Sequence, residues 1–349
     1  MKSIPRLPIL YAIFAAACYG VSSPLSKVLL KELPPTLIAA FLYLGAGLGM
    51  AILNLFRKTK RTKHKEAKIT KKELPYIFGM IALDIAAPIA LMFGLTMTTP
   101  ANASLLNNFE IVATAVIALL IFKETVGRRM WVAITLITLS CVILSFDDIS
   151  SLSFSLGSVL VLIACVFWGF ENNCTRMLSL NDPLQIVVVK GFGSGIGALI
   201  IALAIREYSK NVPYIVLALL LGFFAYGLSI YFYILAQREL GAARTSIFYA
   251  IAPFIGVGLS FIFFNQPLSV SFVIAIVVMV IGAYFAASEK HHHEHTHEFI
   301  EHEHRHSHSD EHHNHTHNNP VKEHSHLHTH EKLQHDHLHT PDMHHTHTH

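Results

Sequence analysis

The 349-residue chain is 52% hydrophobic and only 14% charged, with a mean hydropathy of +0.47, which excludes a soluble globular protein with a polar surface. Its net charge of +3 hides two unlike parts: residues 288–349 hold 24 of the 25 histidines and about −7 of charge with neutral imidazoles, so the first 287 residues carry about +10. That surplus is loop charge, suited to an anionic membrane surface, and gives no ground for a nucleic-acid partner.

A bilayer core takes about 20 apolar residues per helix. Runs of that order recur ten times, over residues 7–30, 36–56, 75–97, 100–122, 130–146, 156–178, 184–205, 213–236, 242–264 and 269–287. The first lacks a small-residue cleavage pattern and continues into more spans, so it reads as a retained helix. Cys18, Cys141, Cys165 and Cys174 all sit inside such runs, without the spacing of a disulfide framework or a zinc knuckle. The loops are short and rich in Pro, Asn, Asp and Ser, except residues 57–72, which carry nine Lys or Arg. Positive loops stay cytoplasmic. With ten spans both termini then lie on the cytoplasmic side of the plasma membrane, and the loop cations divide 17 inside against 4 outside.

The chain also repeats itself. An offset of 149 places Tyr19-Gly20 on Trp168-Gly169, Lys27 on Arg176 and Pro34 on Pro183; an offset of 138 places Pro75-Tyr76-Ile77 on Pro213-Tyr214-Ile215; an offset of 142 places Ser104 on Ser246 and Ile111 on Pro253. Five helices per copy is an odd number, so each helix and its copy cross the membrane in opposite directions. The expected fold is an all-α integral membrane protein of ten transmembrane helices in two inverted five-helix repeats, residues 1–146 and 147–287, followed by a disordered His-rich tail over 288–349.

The aromatic-Gly pairs in YGVSSPLSK (19–27) and WGFENNCTR (168–176), the helix starts PANAS and GAARTS, and the endings LLIFKET and FIFFNQPLS carry a resemblance. Over residues 7–287 the chain resembles the drug/metabolite transporter superfamily, EamA type. Where that family often has a proline in the fourth helix and a Glu after the ninth, this chain has Ile111 and Gln266. The resemblance implies a secondary transporter of a small-molecule solute, more often an exporter, and leaves a homodimer open. No phosphate-cradling loop, metalloprotease helix or nucleophile elbow occurs, so no enzyme and no required cofactor are expected.

Five membrane-embedded polar residues are candidates for the solute pathway. Glu110 in the fourth helix shares a face with Asn107 and Thr114, three and four residues to either side. An intramembrane carboxylate is costly and marks function by default, although it can also simply hold helices together. Glu171 in the sixth helix and Lys190 in the seventh lie at comparable depth, so they can pair, or Lys190 can offer its charge to an anionic solute. Asp84 precedes Pro88 by four residues, and that proline frees a carbonyl. The glycines Gly45, Gly47, Gly49, Gly191, Gly193, Gly195 and Gly197 read as close helix packing.

The tail carries a different chemistry. His291, His293, His295 and His297, then His302, His304, His306 and His308, then His324, His326, His328 and His330 alternate with small, polar or acidic residues. In an extended chain, residues two apart point the same way. Each run therefore offers several imidazoles to one divalent metal ion, with Zn, Ni, Co and Cu as the suited metals. Two alternatives follow: the cargo is itself a divalent metal gathered by the tail, or the protein is a membrane-anchored metal buffer or sensor.

Overall fold

The computed structural model describes residues 6–59, 73–122, 126–148, 153–178, 182–240, 245, 248–265, 268–288, 291–296, 300–307, 323–330 and 334–339. Among the described residues nine helical segments are long and apolar enough to cross a membrane, from Leu7–Leu29 to Val270–Ala287, and the shorter apolar helix Ala252–Phe264 falls in the ninth expected span. Large apolar side chains such as Leu120, Ile262 and Val270 face outward. In water that would be a fault; against lipid tails it is the stable arrangement.

The helix starts follow local chemistry. Spans two, three, four, seven and eight begin at or one residue before a proline (Pro35, Pro75, Pro100, Pro183 and Pro213), where the missing N–H is no loss. Thr99, Ser155, Asp182 and Ser269 cap their helices through side-chain oxygens that accept from Asn102, Ser158, Leu184 and Phe272 amides. Four spans are irregular among the described residues, the ninth by a turn at Ala250-Ile251 ahead of Ala252–Phe264. The first breaks at Val21 between Arg6–Gly20 and Ser22–Leu29, and the fourth at Asn107-Asn108 between Pro100–Leu106 and Phe109–Phe122. The eighth holds a π-helical segment, Phe223–Leu228, between Val212–Gly222 and Ser229–Leu240. Pro88 stays inside the unbroken third helix, Leu74–Met97.

Helix neighbours obey the inverted repeat. The second span packs on the seventh, the fourth on the ninth and the fifth on the tenth, each against its own copy; the third packs on the sixth as the first packs on the eighth. Close approach between the second and seventh spans depends on glycine. A Cβ on Gly191 would strike the Gly47 backbone and stand 2.9 Å from the Tyr43 carbonyl oxygen. The seventh helix, Pro183–Ala204, ends with Arg206 in the left-handed region at φ 62°, and Glu207 N bonds back to Ala202 O at 2.8 Å. That turn delivers Glu207 to the start of the second span, where its carboxylate accepts from Thr36 N at 2.9 Å and Leu37 N at 3.2 Å. Nearby, Asn211 Nδ2 donates to Glu32 Oε2 at 3.1 Å. Lys27 Nζ donates to the last carbonyls of the third helix, Leu95 O and Thr98 O, a placement the helix dipole favours.

Among the described residues strands depart from the helical backbone in two regions. Phe146–Asp148 pairs antiparallel with Ser153–Phe154 between the repeats. In the tail, where composition predicts no regular structure, His291–Thr296 pairs with Gln334–His339 and Ile300–Ser307 with Glu323–His330. Alternation of period two matches the strand period, so these runs lend themselves to ladders without any apolar face. The basic loop residues 60–72 lie outside the described residues.

Gly191→Ala is expected to lower stability by about 1–3 kcal/mol, the usual cost of overpacking. Gly258, whose added Cβ would meet open space, serves as the control: Gly258→Ala is expected to be neutral or slightly stabilising. Thermal unfolding of both variants in one detergent checks the pair.

Candidate functional site

Two polar constellations occupy the interior. In the first, Lys190 Nζ stands 2.9 Å from Glu171 Oε1 and 3.1 Å from Asp84 Oδ2. Tyr43 OH donates to Asp84 Oδ1 at 2.8 Å, and Thr175 Oγ1 donates to Glu171 Oε1. Asp84, Glu171 and Lys190 are 0%, 2% and 7% exposed, so among the described residues their charges rely on one another and on these hydroxyls for solvation. The expected pairing of Glu171 with Lys190 is present. Asp84 joins it as a third member, which ties the third, sixth and seventh spans together.

The second constellation surrounds the break in the fourth span. Asn172 Nδ2 donates to Glu110 Oε1 at 2.7 Å and lies 3.2 Å from Thr114 Oγ1. Asn107 Nδ2 reaches Ser23 Oγ at 3.5 Å, and Cys165 Sγ lies 3.6 Å from Leu106 O and 4.0 Å from Asn107 Oδ1. Asn107, Glu110 and Thr114 therefore all meet one face of the sixth helix, along Cys165, Gly169 and Asn172. Gly169 makes this contact close: a Cβ there would lie 2.7 Å from Ala113 Cβ. Among the described residues no cation lies within ion-pair distance of Glu110, which feels Lys190 and Glu171 only at longer range.

Glu110 is also within electrostatic reach of Tyr19, Tyr226 and Tyr249. Tyr19 and Tyr249 lie nearly parallel, with centroids 6.0 Å apart and planes 29° apart; Tyr233 meets Tyr249 edge-on at 4.9 Å, and Tyr226 meets Tyr19 at 6.2 Å. Hydroxyls fix two of these rings. Ser22 Oγ donates to Tyr226 OH at 3.2 Å. Ser229 Oγ gives its one hydrogen to Ala15 O at 2.8 Å, so Tyr249 OH is the donor in the 3.3 Å contact with Ser229. Tyr226 belongs to the π-helical segment, a distortion that recurs at functional sites.

Sequence reading passes over these tyrosines and Asn172. A signal for Asn172 exists in the run Glu171-Asn172-Asn173, three polar residues together in an apolar span. Each residue turns about 100° from the last, and the three diverge accordingly: Glu171 to Lys190, Asn172 to Glu110, and Asn173 Nδ2 to Gly169 O at 2.8 Å and Thr114 O at 3.2 Å. Among the described residues no three or more His, Cys, Asp or Glu are grouped to hold a metal ion. Of the candidate tail ligands, His297 and His308 lie outside the described residues, and for the others only the backbone is described.

Ten apolar spans related by an inverted repeat, with polar clusters buried between them, define a multi-pass membrane transporter. The EamA-like transporter family model matches residues 6–146 and again 155–288; the chain belongs to that family. An uncharacterized transporter of Methanothermobacter thermautotrophicus is 27% identical over 288 residues, covering 78% of this chain and 83% of the relative. YyaM of Bacillus subtilis, also an uncharacterized transporter, is 24% identical over 288 residues, covering 79% and 91% respectively. A solved crystal structure superposes with TM-score 0.57 at 16% identity, over 80% of this chain and 95% of its own, a likeness of fold alone.

Removing one partner of a buried ion pair strands the other, at about 3–5 kcal/mol. Lys190→Met strands two carboxylates and is expected to destabilise by at least that range. Asp84→Asn removes the carboxylate in excess, keeps an acceptor for Tyr43, and is expected to be much milder. Denaturation in detergent that ranked the two the other way would remove the charge balance from the account.

Proposed function

We propose that the protein is a secondary transporter that exports a small metabolite or drug-like solute across the plasma membrane by alternating access, with both termini cytoplasmic. The observation that carries this reading is the origin of the Glu110 constellation. Tyr19 and Glu110 come from the first repeat, and Asn172, Tyr226 and Tyr249 from the second. A group of polar and aromatic side chains shared by two halves is remade whenever the halves rock, which is the requirement for releasing a solute on alternate sides. Helix breaks at Val21 and Asn107-Asn108 beside the cluster support it, because irregular backbone at membrane depth persists where it is enclosed by protein or lines a cavity.

We assign transition-metal binding, of Zn, Ni, Co or Cu, to the tail. Its backbone register supports this by setting His302 opposite His328, His304 opposite His326, and His306 opposite His324. His291, His293 and His295 stand opposite His339, His337 and His335 in the same way. Histidine positions that face one another at every second residue of a ladder support the reading, since cross-strand neighbours are the closest partners in a sheet and imidazole suits these metals. A divalent metal as cargo is the alternative. The meeting of Asp84 with Glu171 favours it, although Lys190 occupies the space between them.

Proteoliposomes holding the full chain, loaded with a mixed panel of metabolites, drug-like solutes and divalent metals, are expected to release organic solutes faster than empty vesicles. A chain ending at Ser288 is expected to keep that flux and to lose most of the zinc or nickel that the full chain retains on equilibrium dialysis. Metal flux without organic flux would instead make the metal the cargo.

A further inference from the structure

The transported solute's charge is legible in the second constellation. We propose that the site takes a small organic cation, an amine or quaternary ammonium with an aromatic or apolar body, its charge against Glu110 and its body against the faces of Tyr19 and Tyr249. This rests on the transporter reading above and names its cargo class.

The first argument is charge. Asp84 and Glu110 each lie within the influence of Glu171, and among the described residues Lys190 is the single ammonium beside these three carboxylates. Lys190 is committed to Asp84 and Glu171, and among the described residues the one side-chain hydrogen bond to Glu110 comes from the neutral amide of Asn172. An intramembrane carboxylate without a counter-ion is unfavourable, and a cationic solute supplies one. An anionic solute would add a fourth negative charge to the same region, while a neutral one would leave Glu110 unbalanced.

The second argument is the wall opposite. Tyr19, Tyr226, Tyr233 and Tyr249 form a connected group of rings, and the faces of aromatic rings attract cations within about 6 Å of their centroids. No hydrogen bond among the described residues joins Glu110 to any of the four tyrosines, although Tyr19, Tyr226 and Tyr249 lie within its electrostatic reach. Glu110, Asn172, Tyr19 and Tyr249 are only half-buried. A carboxylate at mid-bilayer does not turn its free surface to lipid; it faces the protein interior. The other titratable groups within reach of Glu110 and these rings are Cys165 and, at longer range, Lys190, Glu171 and Asp84. A protonated Glu110 is the competing way to neutralise the site, and the experiment separates the two.

Three probes share one body and differ in charge: phenethylamine, phenethyl alcohol and hydrocinnamate. Calorimetric titration of the full-length protein in detergent is expected to rank the amine at least about tenfold tighter than the other two. Glu110→Gln, which keeps the acceptor for Asn172, is expected to lower amine affinity by about tenfold or more and to leave the alcohol within about twofold. Tyr19→Leu is expected to weaken the amine by roughly threefold or more, and Tyr19→Phe to leave it nearly unchanged.

The wild-type ranking decides the matter even where a variant does not fold. The proposal is overturned by an alcohol or hydrocinnamate that binds as tightly as the amine, by an amine that does not bind, or by unchanged amine affinity in a folded Glu110→Gln. The last outcome would assign Glu110 to proton binding or helix packing. Flux of the same probes in proteoliposomes separates the two levels: neutral or anionic probes moving without amine preference refute the cation site and keep the transporter, whereas amine binding without any solute flux keeps the site and refutes transport.

Discussion

The buried ammonium of Lys190 is the constraint around which the interior is arranged. It is 7% exposed at membrane depth and satisfied by two carboxylates from two other helices. Each of the three groups would be intolerable alone, so the third, sixth and seventh spans must meet at one depth and one rotation. Neighbouring packing then has little freedom. Tyr43 on the second span reaches Asp84, and the second and seventh spans approach through Gly47 and Gly191 to bring it there. With Glu171 fixed toward Lys190, the helical turn aims Asn172 at Glu110, so the two polar constellations are set by one rotation of the sixth helix.

Repetition supplies the frame, and departures from it supply the chemistry. Spans two, four and five each pack on their own copies, as symmetry requires. Yet Glu110 corresponds to Ala252 and Ile111 to Pro253 in the repeat alignment. The π-helical segment at Phe223–Leu228 has no counterpart in the continuous third helix. Symmetric positions serve helix contact; the asymmetric ones gather around the fourth, sixth and eighth spans.

Much of this is legible in the chain itself, because apolar length and loop charge are additive properties that need no knowledge of neighbours. The Glu171–Lys190 pair is legible too, since antiparallel adjacent helices make depth a matter of counting. Asp84 is a different case. Its depth can be counted, but its rotation toward Lys190 depends on which helices the third one touches, and nothing local encodes that. Tyr226 is hidden for another reason: a π-helical turn adds a residue to the turn without changing composition or hydropathy, so its sequence reads as ordinary helix. Asn107-Asn108 marks the break in the fourth span only weakly, since both residues also suit a continuous polar stripe. The tail's alternation is plain, while the long-range pairing of His291–Thr296 with Gln334–His339 cannot be read from a pattern that matches many registers equally well.

The left-handed turn at Arg206 has a mechanical consequence. It delivers Glu207, a second-repeat residue, to the amides of Thr36 and Leu37 in the first repeat, beside the contact between Asn211 and Glu32. Any rocking that parts the halves on this face must pull the carboxylate off both amides and leave the second helix without its anionic cap. In such a motion the cap acts as a clasp between the two repeats, of a strength that water can match once it enters.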